Sequence, residues 1–358
     1  MKLAIFSNKG YWVDHFNKVK IPCEHQFFDS KLNKETVCHT SASSCHKLIL
    51  LLFLINFAMV AKGYDAVCIF VNDIICSETL TILKEGGTKL ILLRCAGFNN
   101  VDLEAAKKCG ITCLRVPRYS PNAVAEYAAA LMMTLNRKIH KAYNRVREGN
   151  FSLESLEGFD FFGKTVGVFG TGKIGELLCN ILVGFGCKII AYDVVENEAC
   201  KKIGVKYMSQ EEVFRQSDII SLHTPLLKDT KHMINDKTIS LMKDGVMLIN
   251  TSRGALIDTK AVINGLKSKK IGYLGIDVYE NEGGLYFDDN SGQIMMDDTL
   301  ARLMTFPNVL ITGHQAWFTQ QALDAICQVT MKNLNDFKNG TIDKGNLVEY
   351  EPSGCAAK

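Results

Sequence analysis

The residues whose types and spacing could do chemistry together are a glycine turn, one acid soon after it, and polar side chains that end apolar runs. The turn is Gly170-Thr171-Gly172-Lys173-Ile174-Gly175, and Asp193 follows it by eighteen residues. It comes directly after the apolar run KTVGVF and opens a helical stretch, IGELLCNILVGFG. In such a turn the first glycine permits the sharp bend and the second lets the backbone approach a pyrophosphate. The third allows the helix to lie close on the strand, and the helix N-terminus offers N–H groups and a positive dipole to the anion. Asp193, at the end of the next apolar run, would bond ribose hydroxyls and repel a 2′-phosphate, which favours NAD over NADP. Gly167 and Gly172-Lys173 also mimic a triphosphate-binding loop. Ile174, however, stands where a magnesium-binding hydroxyl is needed, so triphosphate hydrolysis is not expected.

Further polar residues follow apolar runs: His223, Arg253, Asp277, Glu282 and His314. Ligands of open α/β sheets lie at the carboxyl ends of strands, which is where these residues would stand. Hydride transfer to a 2-keto acid needs a fixed cation for the carboxylate, best an Arg fork. It needs an acid to protonate the carbonyl oxygen, and a carboxylate to orient that acid. Arg253, His314 and Glu282 answer to this description. His223, followed by Thr224 and Pro225 in a loop expected to flank the cofactor, competes with His314 for the acid's role, and spacing favours His314 only modestly.

The elements that must hold these groups are legible as alternating runs. Short apolar stretches at 2–6, 66–71, 89–93, 165–169, 188–192, 218–222, 246–250, 272–278 and 308–312 are separated by amphipathic helical patterns. Continuous apolar strands of this kind indicate parallel sheets covered on both faces, so the class is α/β, doubly wound. Ser120 and Pro121 mark the start of a long helix that Gly149 can end, and that spans ~40 Å at 1.5 Å per residue if it is continuous. Its Ala/Met/Leu stripe could face a second subunit or the chain's own core.

Length and composition agree. The 358 residues suggest about two domains at ~150 residues each. With 41 basic and 38 acidic side chains, the net charge of +3 gives no reason to expect nucleic acid or an anionic membrane as partner. The 13 cysteines include no Cys-x-x-Cys pair, which suits reduced thiols and a cytoplasmic protein; no cleavable signal is read at the N-terminus. The run 48–61 is apolar for fourteen residues, short of the ~20 that span a bilayer. The Cys/His cluster at 38–46 before it lacks zinc spacing, and no metal site is expected.

Several ordered stretches carry a family resemblance: RCAGFNNVDL (94–103), VPRYSPNAVAEYAA (116–129), GTGKIG (170–175), SLHTPL (221–226), NTSRGALID (250–258), GIDVYENE (275–282) and TGHQAWFT (312–319). Over nearly its whole length the chain resembles the D-specific 2-hydroxyacid dehydrogenases, and among them the NAD-dependent D-lactate dehydrogenases. The resemblance implies catalytic roles for Arg253, Glu282 and His314. It implies that Tyr119 and the N–H groups around Ala96 and Gly97 contact the substrate carboxylate. Thr224, Pro225, Thr251 and Asp277 are expected beside the cofactor, Asp277 in a supporting place. It further implies an NAD-binding Rossmann domain, 120–315, inserted into a split flavodoxin-like substrate domain, 1–119 and 316–358, with a hinge near Pro117–Tyr119. A homodimer or homotetramer acting on a small 2-keto acid is expected, with pyruvate first. Sister enzymes for glyoxylate, hydroxypyruvate or bulkier acids, or an NADH-sensing corepressor on the same scaffold, are the alternatives. Two departures stand out. Trp317 replaces an expected Phe and would tighten the substrate's C3 end, favouring pyruvate or glyoxylate over branched or aromatic acids. Residues 37–57 have no counterpart in the family register, and because Val-Cys can be encoded by an intron-like GTATGT, a retained intron is one reading.

Overall fold

All nine apolar runs are strands in the computed structural model, which describes residues 1–37, 61, 63–283 and 285–350. The segment 38–60, with the Cys/His cluster and most of the unmatched run, lies outside the described residues. The chain divides into two compact units, Met1–Tyr119 with Thr319–Lys358, and Ser120–Phe318. The return crossing thus falls after Phe318 rather than at 315/316, and Trp317 belongs to the second unit.

The first unit is built on β1 (Lys2–Ile5), β2 (Glu24–Phe27), β3 (Ala66–Ile69), β4 (Leu90–Leu93), β5 (Thr112–Arg115) and, from the end of the chain, β13 (Leu347–Val348). Their order is β13-β5-β4-β3-β1-β2, parallel except for β13, which pairs antiparallel with β5. Set aside β13 and this is the 2-1-3-4-5 doubly wound order of flavodoxin-like sheets. The strands β3 and β4 are buried at every position, as parallel strands under helices on both faces must be.

The second unit holds β6 (Thr165–Phe169), β7 (Lys188–Tyr192), β8 (Lys206–Tyr207), β9 (Ile219–Leu222), β10 (Val246–Asn250), β11 (Ile271–Ile276) and β12 (Val309–Ile311). The order is β12-β11-β10-β9-β6-β7-β8, all parallel. This is the Rossmann order, 3-2-1-4-5-6, extended by one strand. Its direction reverses between β6 and β9, where such sheets bind ligands.

The long helix is broken. It runs Pro121–Arg137, and a second helix, Ile139–Arg147, starts after Lys138, whose φ of 50° is left-handed. Neither Gly nor Pro signals this break. The Lys138 ammonium donates to the carbonyls of Ser155 and Glu157, at 2.9 and 2.6 Å, and these distant acceptors hold the bend. The Ala/Met/Leu stripe is used within the unit. Ala125, Ala128, Leu131, Met132 and Leu135 are buried in one cluster with Leu178, Cys179 and Leu182 of the helix Lys173–Gly184.

All ten described cysteines are free. Burial pushes the thiols of Cys68, Cys113 and Cys327 up to about 12, so they are inert core residues. No described helix is long and apolar enough to cross a membrane, and no group of metal-binding side chains occurs among the described residues.

Candidate active site

The glycine turn leaves the end of β6 at the point where strand order reverses. Gly170 has φ of +91°, and a Cβ there would lie 2.7 Å from the backbone carbonyl of His223, which follows β9. A Cβ on Gly175 would lie 2.0 Å from the Gly170 oxygen, so the helix can approach the strand only without one. Around Gly172, the N-cap of the helix Lys173–Gly184, a Cβ would meet nothing within 4 Å. Two glycines are thus required by packing, and the middle one opens onto free space at a helix N-terminus. That is the cradle a pyrophosphate needs.

Asp193 grips this turn. Its Oδ2 accepts from the Thr171 N–H at 2.5 Å and from the Thr171 hydroxyl at 3.1 Å, while Oδ1 accepts from the Val194 N–H at 2.7 Å. Lys173 pairs with Glu176 at 2.7 Å, and Ile174 is half-buried against the core. We expect Asp193→Ala to raise the KM for NADH and to lower the NADH-over-NADPH preference in kcat/KM by on the order of tenfold or more, because the acid both shapes the turn and repels a 2′-phosphate. Unchanged cofactor preference in steady-state assays would count against this.

His223 donates its backbone N–H to the Phe169 carbonyl at 2.7 Å, and its Nε2 meets the Ser221 hydroxyl at 2.8 Å. Burial pushes this imidazole down to about 4. An unfolded chain takes up a proton on this ring near its ordinary value of 6.5, and the folded chain does so only near 4. Stability of the second unit should therefore fall as pH drops between those values. Urea unfolding at pH 6.5 and 4.5 should show a smaller loss for His223→Gln than for the wild type. A ring kept neutral by burial is a poor proton donor.

Thr224 accepts the Ser252 hydroxyl on its carbonyl at 2.6 Å, and the Pro225 carbonyl accepts from Thr230 at 2.6 Å. The Thr251 hydroxyl is buried without a partner among the described residues. These groups line up after β9 and β10, on the same sheet end as the glycine turn.

Arg253, Glu282 and His314 are carried by the loops after β10, β11 and β12, and one continuous set of bonds ties those loops together. Asn250, ending β10, donates its amide to the Arg253 carbonyl at 2.8 Å, and its own carbonyl accepts from the Asp277 N–H at 3.0 Å. The Asp277 carbonyl accepts from the His314 N–H at 2.7 Å. The Asp277 carboxylate, fully buried, accepts from the Thr312 hydroxyl at 2.5 Å and from the N–H groups of Gln315 and Ala316 at 2.9 and 2.8 Å. Asp277 was expected beside the cofactor. Its carboxylate bonds the His314 loop through both oxygens. Burial raises it, against the pull of those donors.

His314 Nδ1 and Glu282 Oε2 are 2.9 Å apart. A carboxylate can only accept, so Nδ1–H donates and Nε2 is left to carry or give a proton. The Glu282 Oε1 accepts from the Tyr279 N–H at 3.0 Å, which fixes its reach. His314 has φ of 54°, a left-handed conformation that a non-glycine residue holds only when its surroundings impose it. The Trp317 indole, donating to the His314 carbonyl at 2.9 Å, is part of that restraint. The ring of Phe287 lies 5.7 Å from the imidazole. The Arg253 guanidinium is exposed and donates to the Ser252 carbonyl at 2.8 Å. Asn250, Phe287 and the pair His232–Glu280 were not read from the sequence. The position of Asn250 at a strand end, two residues before Ser252-Arg253, was the one available signal.

In the first unit, Arg115 donates to the Ala96 carbonyl at 3.0 Å and Cys95 to the Gly97 carbonyl at 3.1 Å. Among the described residues no protein acceptor meets the Ala96 and Gly97 N–H groups. Tied carbonyls beside free N–H groups suit an anion. Tyr119 is half-buried at the end of this segment.

A Rossmann sheet with an acidic residue on its glycine turn, and with an imidazole–carboxylate pair and an arginine at its carboxyl edge, defines the class of NAD-dependent dehydrogenases. The family profile for the D-isomer specific 2-hydroxyacid dehydrogenase NAD binding domain matches residues 129–316. The chain is 48% identical over 360 residues to 2-hydroxyacid dehydrogenase A of Aspergillus oryzae, covering 97% of each. It superposes on the apo-structure of D-lactate dehydrogenase from Escherichia coli with a TM-score of 0.84 at 46% identity, covering 97% of this chain and 100% of that one. For the pyruvate reductase of Chlamydomonas reinhardtii the TM-score is 0.86 at 41% identity, covering 95% and 97%. The chain belongs to the D-isomer specific 2-hydroxyacid dehydrogenases and is an NAD-dependent enzyme of that family.

Proposed function

We propose that the protein reduces pyruvate to D-lactate, reversibly, with Arg253 as carboxylate anchor, His314 as acid/base and Glu282 as its partner. The single observation that carries this reading is the His314–Glu282 pair held at 2.9 Å on a strained backbone at the carboxyl edge of the dinucleotide sheet. NADH, when bound, supplies the hydride. Glu282 holds Nδ1–H and stabilises the imidazolium, so that Nε2 gives its proton to the carbonyl oxygen of the substrate and takes it back in reverse. Arg253 binds the carboxylate with two parallel N–H donors and draws electron density from the adjacent carbonyl. In the first unit the free N–H groups of Ala96 and Gly97, with Tyr119, are assigned to carboxylate recognition. The glycine turn, Asp193, Thr224, Pro225 and Thr251 are assigned to the cofactor.

Trp317 supports a small substrate. It is buried, and its indole is anchored to the catalytic loop three residues from His314, so it cannot swing aside cheaply. A panel of 2-keto acids assayed by NADH oxidation, with product chirality read together, tests the reading. Pyruvate or glyoxylate should show the highest kcat/KM. A higher value for 2-ketoisocaproate or phenylpyruvate would assign a bulkier substrate, and L-lactate as product would overturn the proposal.

Reduced thiols agree with a cytoplasmic enzyme. A homo-oligomer agrees with Ile139, Tyr143 and Val146, which share one face of the helix Ile139–Arg147 and are all exposed.

A further inference from the structure

The loop after β11 carries a second histidine–glutamate pair. Glu280 stands two residues before Glu282, and its Oε1 meets His232 Nε2 at 2.5 Å. Its Oε2 accepts from the Thr259 hydroxyl at 3.0 Å. His232 belongs to the loop after β9, and its backbone is stitched to the segment that follows Arg253. The His232 N–H donates to the Ala255 carbonyl at 2.8 Å, Ile234 N–H to Leu256 at 3.0 Å, and Asp258 N–H returns to Ile234 at 2.8 Å. His232 also has a left-handed φ of 52°. The pair therefore bolts the segment 279–282 onto the segment 253–259.

Those two segments carry Glu282 and Arg253. Between them lies a bare backbone contact. A Cβ on Gly254 would fall 2.0 Å from the Tyr279 carbonyl group and 2.4 Å from the Glu280 nitrogen. The peptide of Tyr279–Glu280 thus rests on Gly254 with no side chain between them, and Glu282 takes its orientation from the Tyr279 N–H. At the strand ends the loops are joined through Asn250 and Asp277, as described above. At their outer ends the polar connection is the His232–Glu280–Thr259 set.

We propose that His232 and Glu280 are positioning residues for the keto-acid site, acting through the Gly254 contact to keep Arg253 and Glu282 in register. The inference rests on the roles given to Arg253 and Glu282 above. The side chains of His232 and Glu280 are 35% and 25% exposed, and ion pairs that open to water add little to global stability. Their effect is therefore geometric. A shift of about 1 Å in a substrate-holding group can cost on the order of 10²-fold in rate.

The test uses the full-length enzyme with pyruvate and NADH. Glu280→Ala and His232→Ala should each lower kcat/KM for pyruvate by about ten- to a hundredfold, most of it as a higher KM. The NADH Kd, read by fluorescence, should stay within about twofold. Glu280→Gln keeps an acceptor for Thr259 and a partner for the imidazole, and should recover most of the loss. The Glu280→Ala/His232→Ala double variant should be no worse than either single one, because both remove one connection. Unchanged kcat/KM in folded Glu280→Ala, fully additive losses, or an equal loss of NADH affinity would each overturn the proposal. Should the alanine variants fail to fold, His232→Phe, which keeps the ring's bulk and drops its bond to Glu280, decides it by a pyruvate KM shift above about twofold or its absence. Arg253→Lys and His314→Gln are assayed in parallel. Full activity in those two indicts the site assignment itself, whereas their collapse beside an unaffected Glu280→Ala indicts this inference alone.

Discussion

Replacing His314 with Gln is expected to lower kcat for pyruvate reduction by about a thousandfold or more, the range of a lost general acid, and to leave NADH affinity nearly intact. The Gln amide can still reach toward Glu282, which meets Nδ1 at 2.9 Å in the native protein. It has no proton to give at the position of Nε2. The cradle proposed for the cofactor lies elsewhere, at Gly170, Gly172 and Gly175 after β6 and Asp193 after β7, and none of the bonds described for it passes through the imidazole. The separation of kcat from NADH affinity is therefore the discriminating readout. With chemistry slowed, the primary isotope effect from deuterated NADH should rise toward its full value. Parallel loss of NADH binding would mean that His314 supports the cofactor, and unimpaired turnover would return the acid's role to His223.

Arg253→Lys is expected to raise the KM for pyruvate about ten- to a hundredfold, with a smaller fall in kcat. The charge is kept, and what disappears is the planar fork with its two parallel donors. One charge-assisted hydrogen bond contributes about 1.5–3 kcal/mol, which sets the size of the effect. The native guanidinium is exposed and ready, its Nη1 resting on the Ser252 carbonyl at 2.8 Å, while Asn250 fixes the backbone below it. A lysine ammonium is a strongly hydrated point charge and matches one carboxylate oxygen at a time. The loss should be confined to substrates bearing a carboxylate. Equal KM values for wild type and variant, measured at saturating NADH, would remove Arg253 from substrate binding.

The signals that could be read without coordinates were local ones. Each of the nine apolar runs is a strand because a parallel strand buried on both faces must be apolar throughout. The strands that went unread are β2, β5, β8 and β13. They are short, and β2, β8 and β13 stand at sheet edges, where a run such as Glu24–Phe27 is largely exposed and carries no periodic signal. The break at Lys138 was invisible for a different reason. Its residues are good helix formers, and the carbonyls that hold the bend belong to Ser155 and Glu157. The family resemblance puts Asp277 beside the cofactor in a supporting place. Only the fold shows both its oxygens turned inward onto Thr312, Gln315 and Ala316.

The order of amino acids by itself determined the α/β class, the glycine turn with its acid, and the kinds of groups available for catalysis, because each depends on spacing within a single strand–turn–helix unit. Tertiary structure decided which of those groups meet. Glu282 and His314 are 32 residues apart, Glu280 and His232 are 48 apart, and Asp277 and Ala316 are 39 apart. Such partners are brought together by parallel pairing across β9, β10, β11 and β12, and a periodic pattern records the face a residue turns to the core, not the strand that will lie beside it.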